Sequence, residues 1–188
     1  MSSFAIELTA LGEDELPALL SFLSAEPALP FRYVSVHGPS KGRRMPESEL
    51  VAQLAALPTV VDAIVLHPDQ MEDPARYEPL GHRLLIENMD PRKASGRLPS
   101  ELGQLFEQLP EAGFCFDIAH AWAVDPSMKV GEELLDRFAA RLKHVHLSSM
   151  SEDLGHVPLS SAQEALFEPL LARCRDVPWI LEAEPPQR

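Results

Sequence analysis

Short runs of apolar, β-branched and aromatic residues recur along the chain: Phe4 to Thr9, Tyr33 to His37, Ala63 to His67, Leu84 to Glu87, Phe114 to Asp117, His144 to Leu147 and Trp179 to Glu182. Such runs predict strands buried on both faces. Between them lie amphipathic stretches, clearest over Glu13 to Leu23, Pro46 to Leu57, Pro99 to Leu109, Gly131 to Leu142 and Ser161 to Cys174, which predict helices. Two of these carry start signals: Pro99 followed by Ser100 and Glu101, and Ser160-Ser161 followed by Gln163 and Glu164. Parallel neighbours in a sheet need a crossover, and strands alternating with helices supply it. The expectation is an α/β chain of seven parallel strands.

The polar positions add a second pattern. Tyr33-Val34-Ser35-Val36 ends in His37, Ile64-Val65-Leu66 in His67, Leu84-Leu85-Ile86 in Glu87 and Phe114-Cys115-Phe116 in Asp117, while His146 and Glu182 close the last two strands. In a parallel barrel every strand finishes on the same face, so these side chains converge. Carboxylates gathered at the mouth of an apolar barrel need a cation beside them. Imidazole with carboxylate suits Zn, Mn, Fe or Co, and a carboxylate can bridge two ions. The expected metal ligands are therefore His37, His67, Glu87, Asp117, His146 and Glu182, for one or two divalent ions. His82 precedes its strand and His144 lies two residues before His146, so both are expected to be structural.

Composition narrows the picture. A chain of 188 residues, 45% hydrophobic, is long enough for one sizeable core, and a single domain over residues 1–188 is expected. No stretch of about 18 apolar residues runs unbroken and the first residues lack a leader pattern. Cys115 and Cys174 fall in predicted core elements and read as reduced thiols, so the expected compartment is the cytoplasm. The net charge of −13 opposes polyanions, which makes nucleic acid an unfavoured partner and a small molecule the expected one. Lys41, Arg43, Arg44, Arg92, Lys93 and Arg97 crowd into two segments that follow His37 and Glu87. Arg43 and Arg44 are expected to clamp a phosphate or carboxylate of the substrate.

The segments Val36-His37-Gly38-Pro39, Leu66-His67-Pro68, Leu85-Ile86-Glu87-Asn88, Cys115-Phe116-Asp117-Ile118-Ala119-His120, His144-Val145-His146-Leu147 and Ile180-Leu181-Glu182 resemble, in order, those of the xylose isomerase-like TIM barrel superfamily of sugar isomerases, epimerases and metal-dependent apurinic-site endonucleases. The resemblance implies a TIM-barrel-like (β/α) fold with Glu87 bridging two metal positions. His37 and His67 would complete one, and Asp117, His146 and Glu182 the other. It makes His120 either a ligand of a third metal or a substrate contact, and gives His156 a substrate contact. The family's first strand has no counterpart, so an open seam covered by a helix, a terminus or a second copy is expected. The loop after His146 lacks the Asp-x-His pair of the endonucleases. The resulting expectation is a sugar or sugar-phosphate isomerase or epimerase, in which a divalent metal polarises the carbonyl and Glu87 or Glu182 moves the proton, with His120 at the substrate. The alternatives are a metal-dependent phosphodiesterase and a non-catalytic, degenerate barrel.

Overall fold

The computed structural model describes residues 4–183. Seven parallel strands follow one another around a single sheet: β1 (Ala5–Thr9), β2 (Tyr33–His37), β3 (Ala63–Leu66), β4 (Leu84–Glu87), β5 (Gly113–Asp117), β6 (Leu142–Leu147) and, after a short antiparallel hairpin of β7 (Ser149–Met150) and β8 (His156–Val157), β9 (Trp179–Leu181). The helices are α1 (Leu16–Ser24), α2 (Glu47–Ala55), α3 (Pro99–Gln108), α4 (Ile118–Val124), α5 (Lys129–Phe138) and α6 (Ser161–Leu171). The stretch from Pro74 to Arg83 coils as 3₁₀ turns ahead of β4.

Period-two alternation sorts the strand residues. Val36, Ile64, Leu66, Ile86, Phe114, Phe116 and Val145 point outward and join Leu50, Leu54, Leu102, Phe106, Leu134 and Phe167 of the helices in the main core. The inward set is smaller: Ala63, Val65, Leu85 and Cys115 pack together with Tyr33 alongside. Gly113 belongs to this inner layer, and a Cβ there would lie 2.5 Å from Leu85 Cδ2 and 2.7 Å from Lys143 Cγ. A side chain at that position has no space.

The sheet curls almost shut. Four strands separate β1 from β6 in the sheet order, yet Glu7 Oε1 lies 3.1 Å from His146 Nε2. Only a curved sheet brings them together. β1 and β9 meet at the remaining gap without a strand ladder, leaving one unsealed seam flanked by the exposed Phe4 and Leu181. The seven strands and the open seam match the sequence expectation. Among the described residues no helix is long and apolar enough to cross a membrane.

Helix starts follow the sequence signals. Glu101 Oε2 accepts from the backbone N–H groups of Arg97 and Leu98 at 2.7 and 3.1 Å, and Ser160 and Gln163 form a reciprocal capping box at 3.3 and 3.0 Å.

Candidate metal centre

All six strand-end residues meet at one end of the barrel. Register explains how: Asp117 pairs with His146, and Glu87 with Cys115, two residues before Asp117. Side chains of equal parity then point inward at similar height. Asn88 fixes the local geometry, since its side chain donates to the Asp117 carbonyl and accepts from the Asp117 N–H, both at 2.8 Å. Those two bonds tie the end of β4 to the end of β5.

Glu87 is at the middle of the arrangement and is only 1% exposed. Its two oxygens face different histidines. Oε2 lies 3.2 Å from His37 Nε2 and 3.1 Å from His67 Nε2, whereas Oε1 lies 3.4 Å from His146 Nδ1 and 3.2 Å from His120 Nδ1. His146 Nδ1 is also 3.1 Å from Glu182 Oε1. Ligand atoms gather within 4.8 Å of one another in several sets: His37, His67 and Glu87; Glu87, Asp117 and His146; Glu7, His146 and Glu182; and Asp117, His120 and His156. Glu87 joins the first set to the second, and Asp117 joins the second to the fourth.

The residues fit divalent ions on their own chemistry. Asp117 Oδ2 and Glu182 Oε2 are buried without a hydrogen-bond partner among the described residues. Buried acceptors left unpaired are unfavourable, and a cation among them removes the penalty. The donor set of imidazole nitrogens and carboxylate oxygens is that of Zn, Mn, Fe or Co. Electrostatics shows the same strain. Burial, with Asp117 and Glu87 close by, drives the Glu182 carboxyl well above its ordinary range despite His146. Burial also raises Glu87, but His67, His146 and His120 outweigh it and hold that carboxyl well below its usual value. His120 loses basicity to burial and regains more from Asp117 and Glu87, which push it up to about 10.

His120 sits on the third residue of α4, buried, with Nδ1 2.9 Å from the Asn88 carbonyl oxygen. His156 opens β8, where Ser148 Oγ lies 2.7 Å from its Nδ1 and its ring centre is 5.5 Å from that of His120. Both line one cavity with His37, His67, Glu87 and Glu182, a space of about 820 Å³ that Lys41, Arg92 and Lys93 also line. Arg43 and Arg44 do not line it. Arg43 turns instead to Glu72 and the Met45 carbonyl, each at 2.9 Å, drawn there by the buried Glu47 3.7 Å away, while Arg44 is exposed. Two of these three cations are held by aspartates. Lys93 Nζ donates to Asp69 at 2.9 Å, and Arg92 forms a forked pair with Asp90 at 3.0 and 2.7 Å.

Sequence reasoning missed Glu7, whose side chain is 3% exposed in the barrel interior. It stands as the one acidic residue in the run Ala5-Ile6-Glu7-Leu8-Thr9, and a carboxylate inside a buried strand is a readable signal. His144, expected to be structural, is fully buried, with Nδ1 2.8 Å from the Tyr33 hydroxyl and Nε2 3.2 Å from His146 Nε2.

The profile of the family described as Xylose isomerase-like TIM barrel matches residues 72–187. The chain belongs to this family. None of the curated proteins matches it. Among solved structures, endonuclease IV from Thermus thermophilus is 21% identical, with 99% of this chain and 93% of that one covered and a TM-score of 0.59. A Xylose isomerase-like TIM barrel protein from Mycobacterium smegmatis in complex with magnesium is 11% identical over 95% of this chain and 76% of its own, with a TM-score of 0.55. AP endonuclease, family 2 from Brucella melitensis is 14% identical over 98% and 83%, at 0.53. These identities establish shared fold.

Proposed function

We propose that this member of the xylose isomerase-like TIM barrel family is a metal-dependent enzyme that cleaves a phosphate ester in a small, sugar-like substrate. The observation that carries the reading is the division of the Glu87 carboxylate, with Oε2 toward His37 and His67 and Oε1 toward His146 and His120. A carboxylate so flanked serves two metal positions at once. Two adjacent divalent ions supply activation of a water and neutralisation of charge on phosphate oxygens.

The chain's own groups account for the rest. Glu87 sets the spacing of the two positions, while Asp117, His146 and Glu182 complete the second. Glu182 Oε2, buried and unpaired, takes or returns a proton at the reacting oxygen. Lys41, Arg92 and Lys93 at the rim orient an anionic substrate, a task the sequence pattern assigned to Arg43 and Arg44. With two of those three cations already paired to aspartates and a net charge of −13, the surface suits one or two phosphates better than a duplex.

The second reading is the sugar or sugar-phosphate isomerase or epimerase. It is favoured by Glu87, Asp117 and His146, whose ligand atoms gather without His37 and His67, and by Glu182 beside His146, with Glu87 or Glu182 able to move a proton beside a carbonyl. A screen of bis(p-nitrophenyl) phosphate, sugar phosphates, free ketoses and an abasic-site oligonucleotide, run with Zn, Mn, Fe and Co in turn, separates the two. The expected result is metal-dependent ester cleavage without oligonucleotide incision. Isomerisation of a ketose with no cleavage of any ester would replace the first reading with the second.

A further inference from the structure

We infer that Glu7 is a positioning residue for the metal centre: it holds the His146 ring with Nε2 turned to the barrel interior, so that Nδ1 faces the metal position. The inference rests on the metal reading above. The two edges of the His146 ring meet different surroundings. On one, Nδ1 lies 3.1 Å from Glu182 Oε1 and 3.4 Å from Glu87 Oε1, both expected ligands. On the other, Nε2 lies 3.1 Å from Glu7 Oε1 and 3.2 Å from His144 Nε2.

Only one of the two nitrogens of a neutral imidazole carries the proton, and a hydrogen bond at one fixes the lone pair at the other. A carboxylate that accepts Nε2–H leaves Nδ1 free to ligate. It also makes that nitrogen a better donor to the metal. Glu7 is itself held for the task. Ser35 Oγ donates to Glu7 Oε2 at 2.7 Å from the neighbouring strand β2, and His144 Nε2 stands 3.8 Å from the same oxygen. Tyr33, 2.8 Å from His144 Nδ1, fixes His144 in turn. Tyr33, Ser35, Glu7 and His144 therefore form a polar layer that supports His146.

The placement of Glu7 gives the contact a second consequence. β1 borders the unsealed seam, and Glu7 reaches β6 across the barrel interior. The strand that lacks a backbone partner on one side is thus tied inward to an expected metal ligand.

The test is ¹⁵N NMR of the imidazole nitrogens in Zn²⁺-loaded protein, with Zn²⁺ affinities of the wild type, Glu7→Gln and Glu7→Ala measured by calorimetry at one pH. The expected spectrum shows His146 bound through Nδ1 and protonated at Nε2. The alanine variant should bind about 10–100-fold more weakly. The glutamine variant, whose amide oxygen still accepts Nε2–H, should recover most of that loss. Ligation through Nε2 in the wild type would overturn the assignment even if neither variant folds. So would an alanine variant that binds as tightly as the wild type, or a glutamine variant as weak as alanine, which would make Glu7 a direct ligand. A wild type that takes up no Zn²⁺ would instead sink the metal reading on which the inference stands.

Discussion

The two oxygens of Glu87 face different histidines, and the residues around it each hold one orientation. His37 Nδ1 lies 3.0 Å from the Gly38 carbonyl oxygen, which keeps Nε2 turned to Glu87. Asp69 stands between His67 and Lys93, and Asp90 between His120 and Arg92, so two cations of the rim connect to the centre through carboxylates. Arg92 is half-exposed, and its forked pair with Asp90 leaves it close to the cavity. Replacing Arg92 with Ala should therefore raise KM for a phosphorylated substrate by roughly tenfold with a smaller change in kcat, an effect of the size of one charge-assisted hydrogen bond. The double change Arg43→Ala and Arg44→Ala should leave KM unchanged, and steady-state kinetics of both variants checks the pair. The sequence placed Arg43 and Arg44 beside His37 correctly along the chain. What it did not reveal is that buried Glu47, which accepts from the N–H of Glu72 and from the Tyr77 hydroxyl, draws Arg43 into its own network.

At the scale of elements, strands β2 to β5 were legible because they are buried on both faces and read as short, mostly apolar runs. The ends of these strands were legible because His37, His67, Glu87 and Asp117 each close such a run. Four of the seven expected strand ranges differ from the observed ones by a single terminal residue at one end: Phe4, His67, Gly113 and Glu182. Helix α4 was not foreseen. Its residues Ile118-Ala119-His120-Ala121-Trp122 follow β5 without a break, are largely buried, and therefore show no polar face to betray a helical period. The signal lay in Asp117, whose side chain accepts from the His120 N–H at 2.7 Å and so caps the helix while closing the strand. The inward layer sets a limit on what the barrel tolerates. Gly113→Ala would press a methyl group on Leu85 and Lys143. The expected destabilisation is about 1–3 kcal/mol, read as a fall in Tm by thermal denaturation; an unchanged Tm would mean that the layer relaxes.

On the scale of the whole molecule, the sheet is a near-complete barrel whose inner face changes character along its axis. Apolar side chains of β3, β4 and β5 fill one end, the layer of Tyr33, Ser35, Glu7 and His144 follows, and the six strand-end residues lie at the mouth. Seven strands close far enough for Glu7 to reach His146, and the seam between β1 and β9 is where closure stops. The open seam was expected from the resemblance, because the family's first strand has no counterpart in the chain. The sequence could not reveal the tie across the interior, because Glu7 and His146 lie far apart in the chain and are joined only by curvature. The long-range charge of −13 and the cluster of cations at the cavity act at different distances. Salt screens the first, while the second operates at hydrogen-bond range on a bound substrate.

The central claim is that Glu87 joins two metal positions, and metal stoichiometry tests it most directly. Protein loaded with Zn, Mn, Fe or Co in turn and then dialysed is expected to retain about two ions per chain in elemental analysis, falling to about one when His37 and His67 are both replaced by Ala. A wild type that retains no ion and binds none on titration, or a double variant that retains as much metal as the wild type, would contradict it.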